Sequence, residues 1–519
     1  MTSVERITRR VALSVGAAGA LSVALAACTP TKPGPTTGPT HTPAAPPPWS
    51  SLASKVKGPL ALPGQADYGQ VKLTENPIYD SAEPLAVLTA SSAQDVAAAL
   101  AFAHTYRVPL AMRAGGHSYP GWSSGGAPGT GMPSSLVIDT RGMSGVSVAT
   151  DGTATVGAGA SLAQVYSTLG GAGRAIGAGS CATVGAAGLT LGGGVGVLTR
   201  AYGLACDQVQ SFQIVTADGR IRTASSSSNP DLFWACRGGG GGHLGVVTSI
   251  TYRTVAAPTV TTFYYSWPFS AAASVVAAWQ SWMPSTDPQL WTTLKLLGGQ
   301  VHSSGPAISM SGTWIGAPAA LSAQLASLFS RIGAALTAQS VATKSYLNAM
   351  MGYAGCANVP IAQCQTGPGG ALTREPFANT SHIGTTALSS AGIGALIAQV
   401  QGAQGVSGMT EGGISMDALG GVVSQVSADD SAFFYRNAPM TIQYTSTFQT
   451  GASPDPYWSY VRGFRQAMTP YWGNTAYVNY SDATLTDAPT AYFGSNASRL
   501  ARIRRTYDPQ GLFTQPQSY

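Results

Sequence analysis

The sequence predicts an α+β fold, with an α+β region carrying a large antiparallel sheet in the middle of the chain. Three observations predict it. Residues 85–112 read strand, helix, strand, a βαβ-like unit whose end runs directly into a glycine–histidine loop. Residues 146–156 and 209–223 each read as two short strands about an Asp-Gly turn (Asp151-Gly152, Asp218-Gly219), the pattern of a hairpin. Residues 257–460 carry longer helical periods between apolar strands, as in a sheet with helices on one side.

The elements follow in order. Ser91 or Ser92 is placed to cap a helix running to Tyr106, with Gln94 and Asp95 in its first turn and Val96, Leu100 and Ala103 along one side. Strands are expected at 108–112 and 136–139, and Ser161 caps a helix to Leu169. Asn229-Pro230 opens a short helix that runs through Arg237 into five consecutive glycines, 238–242, before a strand at 246–253. The central region has helical stretches at 271–282 and 321–336 and strands at 289–297, 307–315 and 440–448. A helix over 457–468 precedes Tyr477-Val478-Asn479-Tyr480, and a last helix covers 496–507.

The composition narrows the function. The chain has 519 residues, 64 of them glycine, with 44% hydrophobic and only 9% charged residues. That is a buried-core composition with many tight turns, not a disordered one. A net charge of +6 with no Lys/Arg block excludes nucleic acid as the expected partner.

Residues 1–28 read as an export signal: Arg9-Arg10, an apolar run from Val11 to Ala27, then Leu25-Ala26-Ala27-Cys28. The arginine pair is similar to a twin-arginine signal, and the end is similar to a lipobox with Cys28 as the lipidated residue. The alternative is cleavage nearby and free secretion. Residues 29–60 are assigned to a Pro/Thr-rich tether. The pattern changes near Ala256 and again from Tyr457, dividing the rest of the chain into residues 61–256, 257–460 and 461–519.

Five cysteines remain beyond Cys28. Cys356 and Cys364 read as a local disulfide, and Cys206 with Cys236 as a second candidate pair. Cys181 is left over inside a glycine-rich stretch, where an exported thiol is vulnerable unless it is buried or bonded to something else, such as in a thioether.

Two stretches carry the chemistry. One is Arg113, Ala114, Gly115, Gly116, His117, Ser118 and on to Gly121. The other holds Gly179, Cys181, Thr183, Val184, Gly185, Gly188, Gly192, Gly193, Gly194 and Gly196. Glycine lets backbone N–H groups approach a flat or phosphorylated ligand without a Cβ in the way. No strand–GxGxxG–helix unit with a following acidic residue is present, so this is not a Rossmann fingerprint. Taken singly, His117 is as well explained as a turn residue and Cys181 as a buried thiol.

Four separated pieces together say more. Residues 113–121, residues 177–196 with Tyr202-Gly203-Leu204, residues 231–235 with 237–240, and the tail pieces 477–480, 492–496 and Asp508-Pro509 keep a fixed order. By these the chain resembles the berberine-bridge-enzyme-like flavoproteins, within the vanillyl-alcohol-oxidase, PCMH-type FAD-binding family. The resemblance covers roughly residues 80–255 and 460–515. The middle is similar only through Gly420-Gly421 and Phe434-Tyr435-Arg436.

The resemblance implies a two-part FAD-binding domain and FAD attached twice, through His117 to the 8α methyl and through Cys181 to C6. Ala182 stands where many members have proline, and some relatives attach flavin through the histidine alone. The two glycine-rich stretches listed above, with Val246 and Asn479, are the implied cofactor contacts. Tyr480 is the implied base, with Tyr477, Tyr435 and Arg436 on the substrate side. Some relatives use a sheet carboxylate instead, and Glu411 and Asp417 lie in that region. A free phenol titrates near 10, so Tyr480 needs a group that stabilises its phenolate. If residues 477–480 form a strand, Tyr477 and Tyr480 face opposite ways.

The expected activity is that of an exported, monomeric FAD-dependent oxidase taking hydride from an alcohol or hemiacetal carbon of a sugar, oligosaccharide or natural product. Dioxygen is the acceptor and hydrogen peroxide the product. The alternatives are a dehydrogenase using a quinone or protein acceptor, and a lipid-anchored binding protein with no catalysis. No metal is expected.

Overall fold

A computed structural model describes residues 46–519. The expected export signal, Cys28 and most of the tether lie outside the described residues. The tether ends earlier than its assignment to residue 60: Trp49–Ala53 is helical with Leu52 fully buried, and Leu60–Ala61 pairs with the next strand. Apolar residues in this short run supply the burial that the Pro/Thr composition before it lacks.

The first sheet has Leu60–Ala61, Ala86–Thr89, Leu136–Asp139 and Leu110–Arg113 side by side. Its last three strands are parallel, joined by the helix Ala93–Tyr106. The Ser92 hydroxyl accepts from the Asp95 N–H, and Arg107 closes the helix in the left-handed region at φ 53°. Both hairpins form in a five-stranded antiparallel sheet: Val146–Val148, Thr153–Gly157, Val246–Arg253, Val209–Val215, Ile221–Ser225. Helix Leu162–Gly171 carries a capping box between Ser161 and Gln164.

The central region is a seven-stranded antiparallel sheet, in the order Ala338–Ser345, Thr259–Trp267, Ala307–Trp314, Leu290–Gly298, Met409–Ala418, Met440–Phe448, Phe377–Gly384. One face buries Leu290, Leu294, Leu296, Met310, Ile414, Met416 and Ile442. The other, made by the alternate residues, carries Trp291, Thr293, Lys295, Ser311, Ser415, Asp417 and Gln443, and all seven line a cavity.

Two expectations change. The boundary at 460/461 falls inside the helix Asp455–Trp472, whose Tyr457, Val461, Phe464, Met468 and Trp472 are buried. Its buried row packs on the seven-stranded sheet, so the chain leaves that domain only after Gly473, which ends the helix at φ 71°. Cys206 and Cys236 form no disulfide: both are free and buried, and burial pushes both thiols up, Cys236 to about 12. Cys356 and Cys364 are bonded. Among the described residues, no helix is long and apolar enough to cross a membrane.

Candidate active site

The two glycine-rich stretches meet backbone to backbone. A Cβ on Gly115 would lie 2.3 Å from the amide nitrogen of Gly185, and one on Gly185 would lie 2.3 Å from that of Gly115. No side chain fits between them, which is why both positions are glycine. The junction opens into a cavity of about 490 Å3. Its walls are the two loops, the glycine run 240–242, the tail residues 478–481 and the polar face of the large sheet.

Most of the expected cofactor contacts line this cavity: Arg113, Ala114, Gly115, Gly116, His117, Ser118, Gly179, Cys181, Val184, Gly185, Gly188, Gly196, Val246 and Asn479. Cys181 keeps accessible surface although it is deep in the protein, because that surface faces the cavity. Burial raises its thiol, and Glu75 raises it further. The Nε2 of His117 is 2.9 Å from Thr183 Oγ1, so Thr183 touches the histidine without lining the cavity. Burial lowers the His117 pKa, against the opposing charge of Glu75.

Other expected contacts are structural. The Arg113 guanidinium is turned into protein, with Nε 2.9 Å from Asp139 and its other nitrogens donating to the carbonyls of Val71 and Lys72. Gly121, at φ 74°, lies against the ring of Tyr79. Gly192, Gly193 and Gly194 stand behind the wall. A Cβ on Gly192 would be 2.0 Å from Asn479 Oδ1, and one on Gly193 would be 3.0 Å from Phe433.

The tail is a 3-10 turn, Val478–Tyr480, not a strand. Tyr477 and Tyr480 therefore do not face apart: their rings meet edge to face at 4.9 Å. Tyr477 is a clamp. Its hydroxyl accepts from the N–H groups of Gly194 and Val195 at 3.0 and 3.2 Å and from Asn479 Nδ2 at 2.9 Å. Burial pushes its phenol up to about 12. Tyr435 and Arg436, expected on the substrate side, do not line the cavity. The Tyr435 hydroxyl donates to the carbonyl of Ala491, and Arg436 makes a buried two-pronged pair with Asp207, both bonds 2.7 Å.

Tyr480 does line the cavity, and its hydroxyl has no hydrogen-bond partner among the described residues. It stacks on Tyr119, centroids 5.4 Å apart and planes 11° from parallel, and Gln443 Nε2 donates to the Tyr119 hydroxyl at 2.6 Å. Burial raises the Tyr480 phenol well above its ordinary value, and Tyr119 and Asp417 raise it further. Among the described residues, no arginine acts on Tyr480 to stabilise a phenolate. Asp417 is close enough to act on Tyr480, and burial raises its own carboxyl, against Thr293 and Lys295. Sequence reasoning left Asp417 unplaced and missed Tyr119, Lys295 and Gln443. Strand alternation held the signal: Leu290, Leu294 and Leu296 face one way, and Trp291, Thr293 and Lys295 the other.

The cavity also has the polar atoms a large ligand needs. Trp122 Nε1, Ser123 Oγ, Trp291 Nε1 and Gln515 Oε1 are buried, line it and have no partner among the described residues. Unsatisfied donors and an unsatisfied amide oxygen around a glycine cradle, with a histidine and a thiol in the wall, fit a dinucleotide cofactor with a flat ring system.

Comparison with known proteins gives the same class. An "FAD binding domain" family matches residues 84–225, and a "berberine and berberine like" family matches residues 476–518. An uncharacterized FAD-linked oxidoreductase, YgaK of Bacillus subtilis, is 30% identical over 470 residues, 90% of this chain and 97% of its own. The chitooligosaccharide oxidase of Gibberella zeae is 29% identical, over 84% of this chain and 87% of its own. The solved structure of BBE-like 1 from Physcomitrella patens superposes with a TM-score of 0.80 at 28% identity, covering 91% of this chain and 98% of that one. The protein is thus an FAD-dependent oxidoreductase with a PCMH-type FAD-binding domain. It belongs to the berberine-bridge-enzyme-like family of FAD-linked oxidoreductases.

Proposed function

We propose that this enzyme oxidises a hydroxyl-bearing carbon of a carbohydrate or related natural product and passes the electrons to dioxygen, releasing hydrogen peroxide. The observation that carries the reading is the convergence of Tyr480, Asp417, His117 and Cys181 on one cavity whose far wall is a hydroxyl- and amide-bearing sheet face. The chain's similarity to a chitooligosaccharide oxidase supports a sugar hydroxyl as substrate. The exported location read from residues 1–28 belongs to the same proposal, because such substrates lie outside the cell.

His117 and Cys181 hold the FAD, which when bound supplies the hydride acceptor. Nε2 of His117 is engaged by Thr183, leaving Nδ1 as the nitrogen that bonds the cofactor. Tyr480 accepts the substrate hydroxyl proton. It does not do so as a standing phenolate, because burial holds its proton on. Asp417, which acts on Tyr480 without a direct hydrogen bond, takes the Tyr480 proton through a bridging water as the substrate proton arrives, so no isolated phenolate forms. Tyr119, fixed by Gln443, keeps the Tyr480 ring in place by stacking.

The test is peroxide release by purified holoenzyme against a panel of neutral oligosaccharides, with Tyr480→Phe beside the wild type. The variant should lose about 10²- to 10⁴-fold in kcat, the usual worth of one positioned acid–base group. Its flavin content should stay unchanged. Undiminished turnover in Tyr480→Phe would remove Tyr480 from the reaction.

A further inference from the structure

Glu75 belongs to none of the glycine-rich motifs, yet its Oε2 is 3.8 Å from His117 Nε2. Among the described residues it is the one carboxylate within salt-bridge distance of that ring. Its own N–H donates to the Gly116 carbonyl at 3.2 Å, tying it to the histidine loop. It is held from the other side as well. Thr366 Oγ1 donates to Glu75 Oε2 at 3.1 Å, and Thr366 lies just beyond Cys364, the end of the disulfide loop. Arg374 Nε donates to the Thr74 carbonyl at 2.8 Å while its guanidinium pairs with Asp80. The loop closed by Cys356 and Cys364 therefore bears on the segment that presents Glu75 to His117.

We infer that Glu75 is the counter-ion that lets His117 bond the cofactor, and that the Cys356–Cys364 loop holds it in place through Thr366. The inference rests on the attachment reading above. In that attachment one bond forms between an imidazole nitrogen and the 8α methyl carbon, and one methyl C–H bond breaks. The methyl proton and two electrons would end on the isoalloxazine ring and the imidazole proton on Glu75, and dioxygen would remove the two electrons and both protons as hydrogen peroxide. Until the imidazole proton leaves, the alkylated histidine is a cation. Burial opposes a charge on this ring, and a carboxylate beside it offsets that opposition and accepts the Nε2 proton.

Cys181 responds to Glu75 with the opposite sign. Glu75 raises the thiol, so it opposes the thiolate that a cysteinyl bond needs. One variant therefore separates the two attachments, which a merely structural role for Glu75 would not do.

The experiment compares full-length wild type with Glu75→Gln, Glu75→Asp and Thr366→Val. Each is denatured in acid and digested, and flavin is quantified by mass on the peptides containing His117 and Cys181. Glu75→Gln should lower flavin on His117 about tenfold or more, as expected for loss of an opposite charge at this range, and keep it on Cys181. Glu75→Asp should restore part of the loss, and Thr366→Val should show an intermediate one. Equal His117 occupancy in Glu75→Gln and wild type overturns the inference, as does joint loss of both bonds. Unchanged occupancy in Thr366→Val overturns the part assigned to the disulfide loop. Wild type without flavin on His117 overturns the attachment reading itself.

Discussion

Replacing Asp417 by asparagine is expected to lower kcat by about 10²- to 10⁴-fold with a much smaller change in KM, because a proton acceptor is lost and the shape is kept. The pH profile gives the sharper test. Burial favours the neutral carboxyl, so the folded-state pKa lies above the ordinary carboxylate value of about 3.9. Asp417 accepts a proton only when ionised. Activity should therefore rise with pH through that raised pKa, placing the acid limb of the kcat profile above the usual carboxylate range. Lys295 and Thr293 pull the other way and limit the displacement. In Asp417→Asn the limb should vanish from the residual activity. A variant that keeps both rate and limb would show that Tyr480 hands its proton elsewhere.

The second large effect is on stability. Arg436→Met should destabilise the fold by about 3–5 kcal/mol, the usual cost of leaving one member of a buried pair alone. Asp207 would keep its bond from the Leu204 N–H but lose both guanidinium bonds, in a site where the two side chains are 1% and 8% exposed. Below its unfolding temperature the variant should retain wild-type kcat and KM, because Arg436 does not line the cavity. Denaturant unfolding read beside steady-state kinetics checks both halves. Lowered kcat with unchanged stability would return Arg436 to the substrate side.

Arg436 and Asp417 also show what the sequence could and could not convey. The glycine–histidine loop and the Cys181 stretch were legible because a backbone that admits no Cβ leaves its mark at fixed spacing. Gly115 and Gly185 even report the contact between the two loops. Helix caps at Ser92 and Ser161 were legible for the same local reason. The 477–480 turn was not. A strand and a 3-10 turn are equally compatible with Tyr-Val-Asn-Tyr, and only the docking of Tyr477 onto Gly194 and Val195 decides between them. Arg436 carried a motif-like appearance but answers to Asp207, a residue distant in sequence. Asp417 and Lys295 carried no motif. They reach the site through the cross-strand register that sets Thr293 against Asp417 and Lys295 against Ser415, and register across a seven-stranded sheet is not written in any one strand.

The central claim is that His117 and Cys181 are two walls of one flavin site. The most direct test is mass mapping of flavin on the acid-denatured, digested wild-type protein. Flavin on both the His117 and the Cys181 peptide is the predicted result. A protein that binds FAD yet leaves both peptides unmodified would contradict it.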